Sequence, residues 1–160
     1  MAADAAEVVR LAELMFRGLG AQLSDAQWEQ WRGAASDAVT ERDDTRVAMF
    51  VVDHPGERGV LVACGAGIVT RRLPNPWHPD GRAGYVQWMS TDVAFRRRGL
   101  ARAVLRAIAG WFDDCGVDNV ELHATEEGAP LYRSEGFWRG SGGEPMRRRP
   151  WDPPPELRIE

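Results

Sequence analysis

Arg96, Arg97 and Arg98 stand directly before Gly99, and Leu100 to Ala107 continues as a periodic apolar run. The chemistry such residues suit is anion binding. Backbone N–H groups in the first turn of a helix have no intrahelical partner, and the macrodipole makes that end partly positive. Glycine at 99 and alanine at 101 would let phosphate oxygens approach the main chain. A solvated arginine cluster before an ordinary helix break fits the stretch equally well. Downstream, Glu121 and His123 alternate with apolar residues in NVELHA. Histidine is the side chain whose reference pKa suits a general base near neutrality, although a polar strand face explains both residues as well. His78 and Asp80 read as exposed loop residues.

Composition narrows the chemistry further. The 160 residues fit one domain, which at this size buries about two-thirds of its unfolded surface. The formal charge is −4 and there is no lysine, so basic character is local to Arg71–Arg72, Arg96–Arg98 and Arg147–Arg149. An acidic chain is unsuited to wrapping nucleic acid, which needs a broad basic face. A nucleotide-binding P-loop requires a lysine and is excluded. Cys64 and Cys115 have no ligand spacing and read as free thiols of a reducing compartment, with no structural metal expected. No basic segment leads into a long apolar run at the N-terminus, and no window approaches a membrane span. The expectation is a soluble cytoplasmic protein with no membrane or nucleic-acid partner.

The elements that would position these groups follow from spacing. Asp4 and Glu7 match a capping box, and Val8, Leu11, Ala12, Met15 and Leu19 predict a helix to about Gly18. Ser24 with Gln27 opens a second helix to about Thr40, carrying Trp28, Trp31, Ala35 and Val39 on one face. Arg46–Asp53 and the run from Val60 to about Arg71 predict a hairpin across His54, Pro55 and Gly56. A proline-rich loop from Leu73 to Gly84 leads to a central strand, Tyr85–Thr91. Leu100, Val104, Ile108, Trp111 and Cys115 predict the buried stripe of a helix ending at Gly116. A strand over Asn119–Ala124, a short helix from about Glu127 to Glu135 and a strand opened by Phe137 complete the order, with one further strand around Met146.

In that order the chain resembles the GNAT superfamily of acyl-CoA-dependent N-acyltransferases. Arg96 to Ala101 fits its Q/R-x-x-G-x-G/A signature, with arginine first and alanine last. Ala129, Leu131, Tyr132, Gly136 and Phe137 fit its A-x-x-L-Y-x-x-x-G-F segment, and the likeness spans roughly 46–138. The resemblance implies a single α/β (α+β) domain over residues 1–149, with a mixed, mostly antiparallel sheet, splayed central strands and flanking helices. A proline-rich tail, 150–160, follows. The turn of Arg96, Arg97, Arg98, Gly99, Leu100, Ala101 and Arg102 would hold the CoA pyrophosphate, mainly through backbone N–H groups. Met89 and Thr91 would lie along the pantetheine arm.

The implied reaction is direct transfer of an acetyl group from acetyl-CoA to a primary amine, small molecule or peptide, in a ternary complex. Tyr132 would protonate the departing CoA thiolate, as a phenol of reference pKa near 10 can, or would only pack on the pantetheine. A non-catalytic acyl-CoA-binding regulatory domain of the same fold is the alternative, and a homodimer is left open. Two features depart from the family. The central strand, Gly84-Tyr85-Val86-Gln87-Trp88-Met89, has no carboxylate to serve as base, so Glu121 and His123 remain the candidates. A strand usually precedes the first helix, and none is evident here. The acceptor is expected against the first two helices and the Leu73–Gly84 loop, where Trp28, Trp31, Trp77 and Trp88 would offer an aromatic wall.

Overall fold

Alternation of apolar side chains along a strand sorts a protein into layers, and β1 (Val47–Asp53) does so here. Met49 and Val51 pack into one buried cluster, with Ala5, Val8 and Leu11. Phe50 and Val52 pack into the other, with Val104, Leu105, Ile108 and Phe112. The computed structural model describes residues 4–140. In it α1 (Ala5–Gly18) and α2 (Asp25–Thr40) lie on one side of a four-stranded sheet and α3 (Leu100–Asp114) on the other. The remaining elements are β2 (Leu61–Arg71), β3 (Arg82–Thr91), a single 3-10 turn at Val93–Phe95, β4 (Val120–Glu121) and α4 (Ala129–Ser134). The strand order is β1-β2-β3-β4, antiparallel through β3 and parallel between β3 and β4. This is the mixed, mostly antiparallel single-domain sheet that the resemblance implies.

Helix α3 sits against strand positions that have no side chain. A Cβ on Gly65 would stand 2.7 Å from Val104 Cγ1, and one on Gly84 would stand 2.8 Å from Phe112 Cε1. The glycines let the helix approach the strands closely, which fixes where its N-terminus comes relative to β3. Its fully buried residues are Val104, Leu105, Ile108 and Phe112, and the Leu100, Trp111 and Cys115 expected from spacing pack half-buried against the same cluster.

Several boundaries differ from the sequence expectation. Ser24 and Gln27 do form a reciprocal capping box. Asp4 gives no side-chain cap to α1, its backbone being helical at φ −92° and ψ −8° rather than extended, and the Glu7 side chain is used elsewhere. Its carboxylate accepts from Arg10 Nε at 2.8 Å and Nη2 at 2.9 Å, and from the Leu61 backbone N–H at 3.0 Å. Arg10 in turn donates to the Leu61 carbonyl at 2.7 Å and to Asp92 at 3.4 Å. The pair straps α1 to the start of β2. β4 is two residues long rather than the six of Asn119–Ala124, and residues 137–140 carry no strand. Among the described residues α1 is the first element after a single 3-10 residue. The expected strand at Met146, Arg147–Arg149 and the tail lie outside the described residues.

The Arg10 guanidinium holds the Glu7 carboxyl below the usual carboxylate range, against the opposing effect of burial. A carboxylate whose pKa is depressed on folding contributes stability above its unfolded pKa, and that stability is lost as pH falls through the folded value. Glu7→Gln leaves Arg10 half-buried with a neutral partner. It is expected to cost about 1–2 kcal/mol at neutral pH and to flatten the acid limb of a pH-dependent thermal melt, while the wild type loses stability toward acid.

Candidate active site

Helix α3 begins immediately after the arginine run, and its first turn opens on a glycine. Gly99 is the N-cap in the left-handed region, at φ 81°, and Arg97 also has positive φ, at 63°. The first internal bond of the helix runs from the Ala103 N–H to the Gly99 carbonyl at 3.0 Å. The N–H groups of Leu100, Ala101 and Arg102 are therefore left without helical acceptors. A Cβ placed on Gly99 would meet no heavy atom within 4 Å, so the open space lies over the turn itself.

The three arginines are not equivalent. Arg98 turns back to the Ala94 carbonyl at 3.1 Å and stacks over Phe95 at 4.8 Å. Arg96 donates to the Thr91 carbonyl at 3.3 Å. Arg102 is held by Glu135 at 2.8 Å and Ser134 at 3.2 Å. Arg97 makes no ion pair or side-chain hydrogen bond among the described residues, and it lines the cleft beside Gly99. Together the turn offers backbone donors and one uncommitted cation.

The cleft arises because β3 outruns its neighbour. Parallel pairing with β4 covers only Gly84↔Val120 and Tyr85↔Glu121, while β3 continues to Thr91. From Val86 onward that edge has no strand on it, so its N–H and C=O groups can pair with an extended ligand. A bulge shapes the same strand from its β2 side. The β2–β3 register shifts between Cys64 and Ala66, and Trp88 has φ 52°. Val86 faces the α3 side, yet Trp88 packs on the α1 side and Met89 returns to α3. One inserted residue thus reverses the alternation. Beyond it, Thr91 lines the cleft and its Oγ1 is buried with no hydrogen-bond partner among the described residues.

The resulting cleft, about 930 Å³, brings together Met89, Thr91, Arg96, Arg97, Gly99, Leu100, Ala101 and Arg102 with Tyr132 and His123. Arg98 is not among its lining residues. Tyr132, on α4, packs its ring against Phe137, 6.0 Å between centroids. Burial pushes its phenol up from the ordinary tyrosine range, so it stays protonated through neutral pH, and its hydroxyl has no hydrogen-bond partner among the described residues.

Glu121 and His123 part company. Glu121 forms a two-pronged ion pair with Arg72, at 2.6 and 2.8 Å. Arg72 holds its carboxyl below the usual range, and the residue does not line the cleft. His123 lies in the cleft, its Nδ1 hydrogen-bonded to the Tyr85 hydroxyl. Tyr85 is a site residue that sequence reasoning missed. It stands at the last position paired with β4, and nothing in the sequence reports that register. Of the expected aromatic wall, Trp88 lines the cleft, while Trp28 is 2% exposed and belongs to the core. Trp31 links the two, with its ring 5.6 Å from Trp28 and 6.2 Å from Trp88. Trp77 is 82% exposed on the loop before β3 and does not reach the cleft.

These features fit an extended ligand with an anionic end and amide groups along its length. A family model described as acetyltransferase (GNAT) family matches residues 7–137. No curated protein matches the chain at a significant level. Among solved structures, a GCN5-related N-acetyltransferase of Ralstonia eutropha is 27% identical, covers 90% of this chain and 94% of its own, and superposes with a TM-score of 0.72. A predicted acetyltransferase of Clostridium acetobutylicum with acetyl-CoA is 16% identical over 92% of both chains, TM-score 0.76. A glucosamine-6-phosphate N-acetyltransferase of Arabidopsis thaliana is 15% identical over 92% of this chain and 93% of its own, TM-score 0.66. The last two show a shared fold.

Proposed function

The chain belongs to the GNAT acetyltransferase family, and from that premise we propose that it moves an acetyl group from acetyl-CoA to a primary amine by direct transfer within the β3–β4 cleft. One observation carries the reading. The glycine-fronted turn of α3, the unpaired edge of β3 and the Tyr132 hydroxyl all open on the same cleft. The backbone N–H groups of Leu100, Ala101 and Arg102, with Arg97, would hold the pyrophosphate. The edge from Val86 to Thr91 would hold the amide-bearing arm, with Thr91 Oγ1 gaining a partner. When bound, acetyl-CoA supplies the activated acetyl thioester.

Tyr132 holds the proton for the departing thiolate, and its raised pKa keeps that proton in place at neutral pH. On the acceptor side an alkyl ammonium must lose a proton, which costs about 4–5 kcal/mol at neutral pH. The Tyr85–His123 pair, hydrogen-bonded and lining the same cleft, would take it. With the phenol donating to Nδ1, a proton arriving at the Tyr85 oxygen is balanced by passage of the phenol proton to the imidazole. Glu121 stays with Arg72 and keeps its negative charge near His123. Held together in one cleft, the reactants gain the rate advantage of proximity without a covalent enzyme intermediate. The free cysteines, with Cys64 buried and its thiol pushed up to about 12, suit a reducing compartment, and we place the reaction in the cytoplasm.

Two measurements test the reading. Acetyl-CoA is expected to raise the melting temperature of the protein in a concentration-dependent way, and an amine panel is expected to elicit release of free CoA thiol. His123→Gln and Tyr85→Phe should each lower kcat/KM for the amine by about tenfold. The double variant should lose little more than either single one, because the two groups accept one proton as a unit. Additive losses would show that they act separately.

A further inference from the structure

We infer that the acceptor is a primary amine on an uncharged, apolar body, an arylalkyl or alkyl amine rather than a polyamine or a phosphorylated amino sugar. This rests on the acetyl-transfer reading of the same cleft and concerns the half of it away from the α3 turn.

Charge in the cleft is one-sided. Its cations, Arg96, Arg97 and Arg102, all come from the α3 turn. The opposite wall is built by Met15, Phe16 and Leu19 at the end of α1 and by Trp88 on β3. Tyr85, Gln87 and His123 supply its polar groups. The arginines nearest this wall are committed. Arg10 is bound to Glu7 and Asp92. Arg17 pairs with Glu13 at 2.7 Å and lies over the Trp28 ring at 4.4 Å. Arg32 pairs with Glu13 and Glu29. Among the described residues, then, α1 and α2 keep no unpaired cation for a phosphate.

Anionic groups are equally sparse. Among the described residues Glu127 is the single carboxylate lining the cleft, and it belongs to the segment before α4, with Thr125 and Gly128, rather than to this wall. A polyamine brings two or more charges beyond the reacting nitrogen, and a charge set against Phe16 and Trp88 would lose its hydration without a partner.

An apolar body meets the opposite situation. Trp88 is backed by Trp31 at 6.2 Å, and Trp31 is held edge-on by Phe16 at 5.5 Å. The wall is thus aromatic and braced from behind. At its rim Leu19 is 56% exposed. Large apolar side chains left open beside a cleft mark the approach of an apolar ligand. The Tyr85–His123 pair at the end of this wall then faces the one nitrogen that must lose a proton.

The full chain with acetyl-CoA, tested on phenylethylamine, hexylamine, spermidine, glucosamine phosphate and a tripeptide with a free N-terminus, decides the matter by CoA release and product mass. The expected kcat/KM for phenylethylamine exceeds those for spermidine and the phosphorylated sugar by about tenfold or more. Leu19→Lys, a change at an exposed helix end, should raise the phenylethylamine KM by about fivefold and leave the acetyl-CoA KM and the thermal shift unchanged. Faster turnover of spermidine, the sugar phosphate or the peptide would overturn the acceptor class while leaving acetyl transfer standing. An unmoved KM in Leu19→Lys would overturn it too, by placing the amine elsewhere. No CoA release with any amine would overturn both readings.

Discussion

Gly99→Glu is expected to abolish acetyl-CoA binding, with no melting-temperature shift at ligand concentrations that saturate the wild type, a loss of more than about a hundredfold in affinity. Three effects act together at this position. Gly99 has φ 81°, a region that costs an L-residue roughly 1–2 kcal/mol. The new side chain would enter the open space over the turn, where no protein atom lies within 4 Å. Its carboxylate would then occupy the ground in front of the Leu100, Ala101 and Arg102 N–H groups, repelling and displacing phosphate. The fold itself has room for the change, so a folded but non-binding protein is the expected product. Arg97→Ala is the control. It removes one exposed cation from a site built mostly of backbone donors, and should weaken binding by about threefold to fivefold, less at high salt. Equal small losses in the two variants would place the phosphates away from the turn.

Tyr132→Phe is expected to lower the rate constant of the chemical step by about a hundredfold, with little effect on acetyl-CoA affinity. The ring remains, so its edge-on packing with Phe137 and its share of the cleft wall are kept. What is lost is the hydroxyl, which burial keeps protonated and which no described residue engages. Because the phenol pKa is raised, the wild-type rate should not fall on the alkaline side until well above neutrality. Single-turnover measurement separates the chemical step from product release. An unchanged rate constant would reduce Tyr132 to a packing role.

The fold was legible wherever local pattern and tertiary demand agreed. Ser24 and Gln27 cap α2 as their spacing predicts, and the β1–β2 hairpin and α3 fall close to their expected bounds. The glycine at the start of α3 was legible for the same reason, since a glycine N-cap is a local device. Elsewhere distant partners took residues that local rules had claimed. Glu7 left its cap for Arg10 and the Leu61 N–H. Glu121, a candidate base by its strand face, is held by Arg72, which lies 49 residues away in sequence. β4 stops after Glu121 because the strands must part to open the cleft, a constraint that the apolar alternation of NVELHA does not contain.

The catalytic side was the least legible part. The bulge at Trp88 reverses which face β3 presents, although Tyr85 to Thr91 reads as an ordinary strand. Tyr85 and His123, 38 residues apart, meet only through the two-residue register of β3 with β4. Either would be unremarkable without that pairing. The strand without a carboxylate left Glu121 and His123 as candidates for the base, and the proposed base joins His123 to Tyr85, its hydrogen-bond partner.

The most direct test is to incubate the purified chain with acetyl-CoA and phenylethylamine, and to follow free CoA and the mass of the amine together. Acetyl transfer in the β3–β4 cleft predicts acetylated amine and CoA in equal amounts, no acetylated enzyme, and loss of both products in Gly99→Glu. A thermal shift with acetyl-CoA but no CoA release across the amine panel would contradict it, and would leave a binding domain rather than an enzyme.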